Sequence, residues 1–280
     1  DTFAGVQKEK GVNPKFGLQY DIDDDRMIYA SAAKGFRIGG VNSFSNLLCG
    51  ADLTALGLTA ADVETFDSDS LWSYEIGAHT SWADNALRVN VAAFHIDWSN
   101  IQQRLPLGGC GFFVFTNAGA AESDGFELEV QSTPAEGLAI NINAGFTDAR
   151  ITDSGGFGVI QEGSPVQHVP RWTASALVDY DIDVKGLPAH FQASYSYVGE
   201  SQSANNDTAN PRVREAYDLL NLRLGARLNE IWEFTVFAHN VLDEAGNLSD
   251  TPPLAIELPG RPRIQATRPR TIGVEARVEF

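Results

Sequence analysis

From Arg270 to Phe280 the chain alternates without a break: Ile272, Val274, Ala276, Val278 and Phe280 share one face of an extended strand, and Thr271, Gly273, Glu275, Arg277 and Glu279 share the other. A strand that is wholly apolar on one side must set that side against a protein core or against lipid. The same two-residue period runs through most of the sequence. Trp72, Tyr74, Ile76, Ala78 and Trp82 oppose Ser73, Glu75, Gly77, His79 and Ser81. Phe126, Leu128 and Val130 oppose Glu127, Glu129 and Gln131, and Leu220, Leu222, Leu224, Ala226 and Leu228 oppose Asn221, Arg223 and Arg227. The fold class is all-β and antiparallel.

The connections sort by length in strict order. Short turns are expected at 21–25, 83–85, 133–137, 181–188 and 229–230, and long loops at about 37–68, 99–111, 152–166, 200–212 and 244–266. Outer-membrane barrels have short turns on one side and long loops on the other, whereas a soluble sandwich has no reason to sort its loops this way. About eleven strands result. Within them, residues 112–132 are expected to form one long strand. The facing of the strand from Arg26 to Phe36 is undecided because both phases contain Ala, and a β-bulge near Ala92-Ala93 would place Phe94, Ile96 and Trp98 outward. A short helix is possible near 59–65.

The large rings give an independent sign. Tyr20, Trp82, Tyr180, Trp232 and Phe280 fall on the apolar face beside short turns, and Trp72, Trp98, Phe146, Trp172 and Tyr197 toward the long loops. Two such rows are what two membrane–water interfaces favour. Hydrophobic residues make up 43% of the chain, yet no stretch approaches the ~18 apolar residues of a membrane helix. Alternating strands hide their lipid face from such a window. The net charge of −17 and the lack of a Lys/Arg cluster argue against a nucleic-acid partner. No signal peptide precedes Asp1 and the first residue is not Met, so mature or truncated material is expected.

Five stretches in chain order resemble TonB-dependent outer-membrane receptors: Tyr29 to Gly40, Tyr74 to Gly77, Thr116 to Gly119, His239 to Asp243, and Gly260 to Arg263 followed by Pro269 to Val274 and the terminal Phe280. The resemblance implies a transmembrane β-barrel in the outer membrane of a Gram-negative bacterium. Single-chain bacterial barrels have even strand numbers, and eleven is half of the twenty-two of the plugged transporters. Residues 1–280 are therefore expected to form the C-terminal half of such a barrel, with the plug domain outside this chain.

The implied function is active import of a scarce small-molecule ligand, first of all a ferric siderophore, with carbohydrate and cobalamin open. Implied partners are the TonB complex acting through the plug, outer-membrane lipid and lipopolysaccharide, and the barrel assembly machinery, for which Phe280 is the signal. No cofactor and no catalysis are expected. The alternatives are a passive porin-type channel and a soluble β-sandwich adhesin.

Ligand contact is expected at the loops and rim: Phe36, Arg37 and Asn42, then Gln102, Arg104 and Phe113, then Arg212 and Arg214. Arg104, Arg212 and Arg214 are cationic spots suited to an anionic ferric chelate; contact with lipopolysaccharide phosphate or plain solvation is the other reading. Glu75, Arg88, Glu127, Glu129, Arg223, Arg227, Glu275 and Arg277 face the lumen, toward the plug or paired among themselves. Cys49 and Cys110 fall in two long loops on one side, where an oxidising compartment permits a bridge; two unpaired thiols are the alternative. The histidines lack metal-ligand spacing, and no G-x-S-x-G, P-loop or H-E-x-x-H occurs.

Overall fold

The computed structural model describes residues 8–43, 46–117, 119–155, 161–204, 212–251 and 263–279. Strands β1 (Lys15–Asp23) and β2 (Arg26–Arg37) are followed by β3 (Gly40–Val41), helix α1 (Asn46–Ala55), a 3-10 turn (Ala61–Val63) and β4 (Thr65–Phe66). Next come β5 (Asp69–Trp82), β6 (Leu87–Ser99), β7 (Gln102–Leu107), β8 (Phe112–Asn117), β9 (Ala120–Ala135) and β10 (Leu138–Asp153). The chain continues through β11 (Trp172–Val184), β12 (Leu187–Val198), β13 (Ser201–Ala204), β14 (Arg212–Arg214) and β15 (Tyr217–Arg227). It ends with β16 (Trp232–His239), β17 (Asn247–Thr251), β18 (Arg263–Ala266) and β19 (Thr271–Val278).

Eleven of these strands form one antiparallel sheet in the order β1-β2-β5-β6-β9-β10-β11-β12-β15-β16-β19. The other eight form four two-stranded pairs, all in the long connections. Short turns lie at the opposite end of the sheet. One of the two-residue turns is Lys185-Gly186, where both residues have positive φ, as the hairpin turn that follows strand twist requires.

Cross-strand partners fix the two faces. Val236 stands between Leu224 and Val274, and Ile142 between Val130 and Ala176. This apolar face is open: Val274 is 70% exposed, Ile76 63% and Leu224 57%. In water each such side chain left uncovered would forgo about 1.5–3 kcal/mol of burial. The buried apolar residues lie elsewhere, in two clusters at the loop end: Cys49, Leu53, Val63, Leu105, Leu107 and Val114, and separately Ile101, Ala121 and Ile151. The sheet therefore has no protein core on its apolar side among the described residues, which is the arrangement of a lipid-facing barrel wall.

Five expectations are corrected. The β5–β6 and β6–β9 registers run unbroken from end to end, so the sheet has no bulge at Ala92-Ala93. Phe94, Ile96 and Trp98 accordingly share the inward face with Glu75, Ser73 and Leu71, and Trp98 leaves the outer aromatic row. Residues 112–132 are two strands, because Gly119 (φ +86°) turns the chain between β8 and β9. The loop expected at 99–111 thus extends through a hairpin to Asn117. The main helix lies at Asn46–Ala55, ahead of the expected 59–65, where only the 3-10 turn occurs.

With Trp98 inward, the outer ring row is carried by Phe126, Phe146 and Trp172, with centroids 4.9–5.7 Å apart. Directly beyond it the outward face becomes charged: His95 meets Asp124 at 2.8 Å, and Asp148 meets both Arg150 and Arg171. The apolar band ends at the rings, and the strands continue past it into water.

Candidate ligand-facing rim and its loop caps

The first two long loops fold together into a small unit with its own core. Leu53 of α1, Val63 of the 3-10 turn, and Leu105, Leu107 and Val114 of the β7–β8 hairpin are each fully buried there. Cys49 and Cys110 are joined by a disulfide across this core, with Cα atoms 5.2 Å apart. Beside the bridge, Asp52 accepts the backbone N–H groups of Gly109 and Cys110 at 3.0 and 2.9 Å. In the link between α1 and the 3-10 turn, Thr59 donates its backbone N–H and its hydroxyl to Asp62, and these bonds hold the Asp62 carboxyl below the usual range.

Asparagines pin this unit to the barrel. Asn42, buried, donates to the carbonyls of Val63 and Phe115 and accepts the N–H of Phe115. Asn117 donates to the carbonyls of Asp67 and Asn100. Arg37 forms an ion pair with Asp69, which is 1% exposed, and its guanidinium lies 4.7 Å over Trp98. Gln102 donates its amide to the carbonyls of Ile38 and Asp67.

Of the residues expected to meet a ligand, Arg37, Asn42 and Gln102 are thus committed to holding loops in place. Phe36 pairs with Ser70 on the outward face. Arg104 and Phe113 remain exposed on the β7–β8 hairpin, the guanidinium 3.9 Å over the ring, and Phe115 and Phe66 extend that aromatic surface. Arg212 is half-buried opposite Ala204. Arg214 is engaged with the carbonyls of Asn247 and Leu248 and with the His168 ring. The structure gathers Arg104 with Phe113 and leaves Arg212 and Arg214 together on β14, in a different loop.

On the inward face, Tyr29 donates to Glu75 at 2.7 Å, and Asn90 and Gln131 donate to Glu129. Arg223 pairs with Glu275 across β16 at 3.2 Å, Arg227 with Glu233 at 3.7 Å and Arg277 with Glu279 at 3.5 Å. Arg88 faces Ser81 and Gln131, and Glu127 faces Ala92 and Gly145. Several of these charges are satisfied within the wall. Tyr29, His79, Asn90, Glu127, Glu129 and Ser175 line one concavity on this face. No group of His, Cys, Asp and Glu among the described residues could hold a metal ion. Phe280 lies outside the described residues.

Asn240 was missed as a site-forming residue. It is buried with φ +49°, donates to the carbonyls of Glu244 and Arg268, and accepts the Glu244 N–H. Arg270 reaches back from the last strand to Asp243 and the Val241 carbonyl. The available signal was an Asn between an alternating strand and a Gly-rich stretch, a residue type that tolerates positive φ.

The sequence model of the family described as "TonB dependent receptor-like, beta-barrel" matches residues 1–241. The pesticin receptor of Yersinia enterocolitica is 25% identical over 280 residues, covering 99% of this chain and 37% of that protein. The metal-pseudopaline receptor CntO of Pseudomonas aeruginosa is 25% identical over 206 residues, covering 73% and 26%. The crystal structure of the ferric yersiniabactin uptake receptor FyuA from Yersinia pestis superposes with a TM-score of 0.74 at 21% identity, covering 95% of this chain and 37% of that one. The chain spans about a third of the length of the relatives it matches.

Proposed function

Because the chain belongs to the TonB-dependent receptor-like β-barrel family, we propose that the complete protein is a Gram-negative outer-membrane receptor that actively imports a ferric siderophore. The observation that carries this is the eleven-stranded antiparallel sheet whose apolar face is open and whose other face is polar and charged. Relatives named for metal-pseudopaline and ferric yersiniabactin support a chelated metal as the cargo.

The eleven strands are one arc of a larger barrel. Among the described residues β1 and β19 each have a single neighbour in the sheet, and lipid cannot satisfy the backbone groups along an open edge. Residues 1–280 are its C-terminal part, and the plug and the TonB contact belong to the rest of the protein. Glu75, Glu127 and Glu129 line the passage, and Arg104 with Phe113 meets the ligand at the rim.

The test is uptake of iron-55 chelates (ferric yersiniabactin, a ferric catecholate and a ferric hydroxamate) by cells expressing the complete protein. The expected result is accumulation of one chelate that stops when TonB is deleted or the proton-motive force is collapsed. Accumulation indifferent to both would identify a passive channel, and accumulation of none would remove the siderophore assignment.

A further inference from the structure

Four of the chain's five lysines, Lys8, Lys10, Lys15 and Lys34, are brought to the loop end of β1 and β2. The fifth, Lys185, lies in a short turn at the other end. In a chain of net charge −17 this is a local excess of positive charge. None of the four has an ion-pair partner among the described residues, whereas Arg223, Arg227 and Arg277 of the wall are paired. Glu9, between Lys8 and Lys10, turns its carboxylate into the fold: one oxygen accepts the Gly39 N–H at 2.9 Å and the other is buried.

Strand register sorts these lysines by face. Lys34 is the cross-strand partner of Trp72 on the outward face, and Trp72, in the outer ring row, stacks on Tyr74. A lysine at that level lays its stem along the apolar margin and extends its ammonium into the headgroup layer. The strip carrying Lys8 and Lys10 passes on the same side, since a Cβ on Gly11 would touch the outward Phe36 ring at 3.4 Å. Both of these lysines are exposed. Lys15 differs: it pairs with Ala33, which faces Ser73 on the inner side of the wall. Beyond Trp72 the outward row turns acidic, with Asp97 and then Glu122, so the positive charge is confined to the first two strands.

Below Lys34 the outward face of β2 is a shallow trough. Ala30 lies between Leu18 and Ile76, and Ala32 between Phe16 and Tyr74. Larger side chains thus wall two small ones in a line that ends at Lys34, with room for an acyl chain. The wall here is already the lipid interface, and the layer directly above it in a Gram-negative outer leaflet is made of phosphorylated lipopolysaccharide headgroups. Lysines clustered at a membrane surface attract anionic headgroups, at about fivefold in affinity for each. We propose that Lys8, Lys10 and Lys34 form a lipopolysaccharide site that holds the lipid's phosphates against the outer face of β1 and β2. It depends on the outer-membrane placement and is independent of the cargo.

The test uses the complete protein in neutral detergent micelles, with three probes: rough lipopolysaccharide, the same lipid with its phosphates enzymatically removed, and phosphatidylglycerol. Bound lipid is read by native mass spectrometry and by the melting temperature. Intact lipopolysaccharide should bind the wild type and raise its melting temperature, less so as salt rises. Lys34→Gln should weaken binding about fivefold, and the triple change Lys8→Gln, Lys10→Gln and Lys34→Gln about a hundredfold if the three add. Lys34→Arg and Lys15→Gln should bind as the wild type does. Melting temperatures without lipid should be equal, because none of these lysines holds an ion pair.

Equal lipopolysaccharide binding by the wild type and the triple variant would overturn the proposal. A loss in Lys15→Gln as large as that in Lys34→Gln would do the same, because it would move the charge effect to the inner face. Binding of the dephosphorylated lipid or of phosphatidylglycerol as tight as that of intact lipopolysaccharide would remove the phosphorylated headgroup as the selected feature. A lowered melting temperature without lipid, with binding spared, would make the lysines structural. Each of these results leaves the import reading standing.

Discussion

Tyr29 lies over Gly77, its direct partner on the neighbouring strand, and donates its hydroxyl to Glu75 two residues away. The three atoms nearest a Cβ at position 77 all belong to the Tyr29 side chain, at 2.6 Å. The same relation recurs where Phe237 covers Gly273, and Phe94 covers Gly125, where a Cβ would also meet the Phe146 carbonyl; each is a direct cross-strand pair. An inward ring and a facing glycine thus fill one another's space on the wall. Gly77→Ala should cost about 1–3 kcal/mol, the usual penalty for overpacking. Gly17→Ala, with open space around it, should cost far less. Urea unfolding of the barrel in lipid vesicles would measure both, and a Tyr29→Ala background should erase most of the Gly77 effect.

These pairs also explain where sequence reading succeeded and where it failed. Periodicity located the eleven strands and four of the short turns, because a barrel wall repeats one rule, apolar out and polar in. The turn expected at 181–188 is only Lys185-Gly186, since the run Asp181 to Val184 still pairs with Leu187 to His190. It failed at Ala92-Ala93, since two alanines fit either face and the rings beyond them suggested a bulge. The unbroken register instead carries Phe94, Ile96 and Trp98 inward, over Gly125 and beneath the loops. Their polar partners in sequence, His95 and Asp97, stand outward beyond the membrane band, where the rule no longer holds. The loop unit was still less legible. Its core comes from α1 and from a hairpin some fifty residues later, and no local period links them.

Arg37 and Asp69 fix the base of that unit. Arg37→Ala would leave the Asp69 carboxylate buried without its charge partner, which costs about 3–5 kcal/mol where a buried pair is broken. Arg37 is itself half-exposed, so the lower end is expected. Arg37→Ala with Asp69→Asn should recover part of the loss. Hydrogen exchange at residues 37–43 and 65–70 would report both, and equal exchange in the single and double variants would show that the ion pair contributes nothing.

The Cys49–Cys110 bond spans 61 residues, but the β5–β6 hairpin already brings the two loops together. The stabilisation should therefore fall at or below the low end of the ~2–4 kcal/mol typical of a disulfide, and should be confined to the loop unit. Reduction, or Cys49→Ser with Cys110→Ser, is expected to accelerate amide exchange in α1 and the β7–β8 hairpin by about tenfold or more. Exchange in β9, β10 and β11 should not change.

Acid should loosen the same unit from a different point. Asp62 is held below the ordinary value of 3.8 by the Thr59 hydroxyl and backbone N–H. A carboxyl whose folded-state pKa is depressed contributes stability that is fully present above its unfolded value and is lost as pH falls through the folded value. Exchange at Ala61 to Val63, corrected for intrinsic rate, should be flat from pH 7 to about 5 and rise below about 4. Asp62→Asn should remove that rise.

The decisive substitution is on the apolar face itself. Val236 is 51% exposed and stands between Leu224 and Val274 near the middle of its strand. Its neighbour Thr235 points inward, between Gly225 and Glu275. If the apolar face met water, Val236→Arg would be a surface change worth within about half a kcal/mol. Against hydrocarbon it should cost about 2–4 kcal/mol at the bilayer midplane. Thr235→Arg places the same side chain on the polar face, beside Glu275, and should be tolerated. Unfolding free energies of the two variants in lipid vesicles separate the cases: a large loss at 236 with little at 235 fits a lipid-facing wall, and two small, equal changes would rule that wall out.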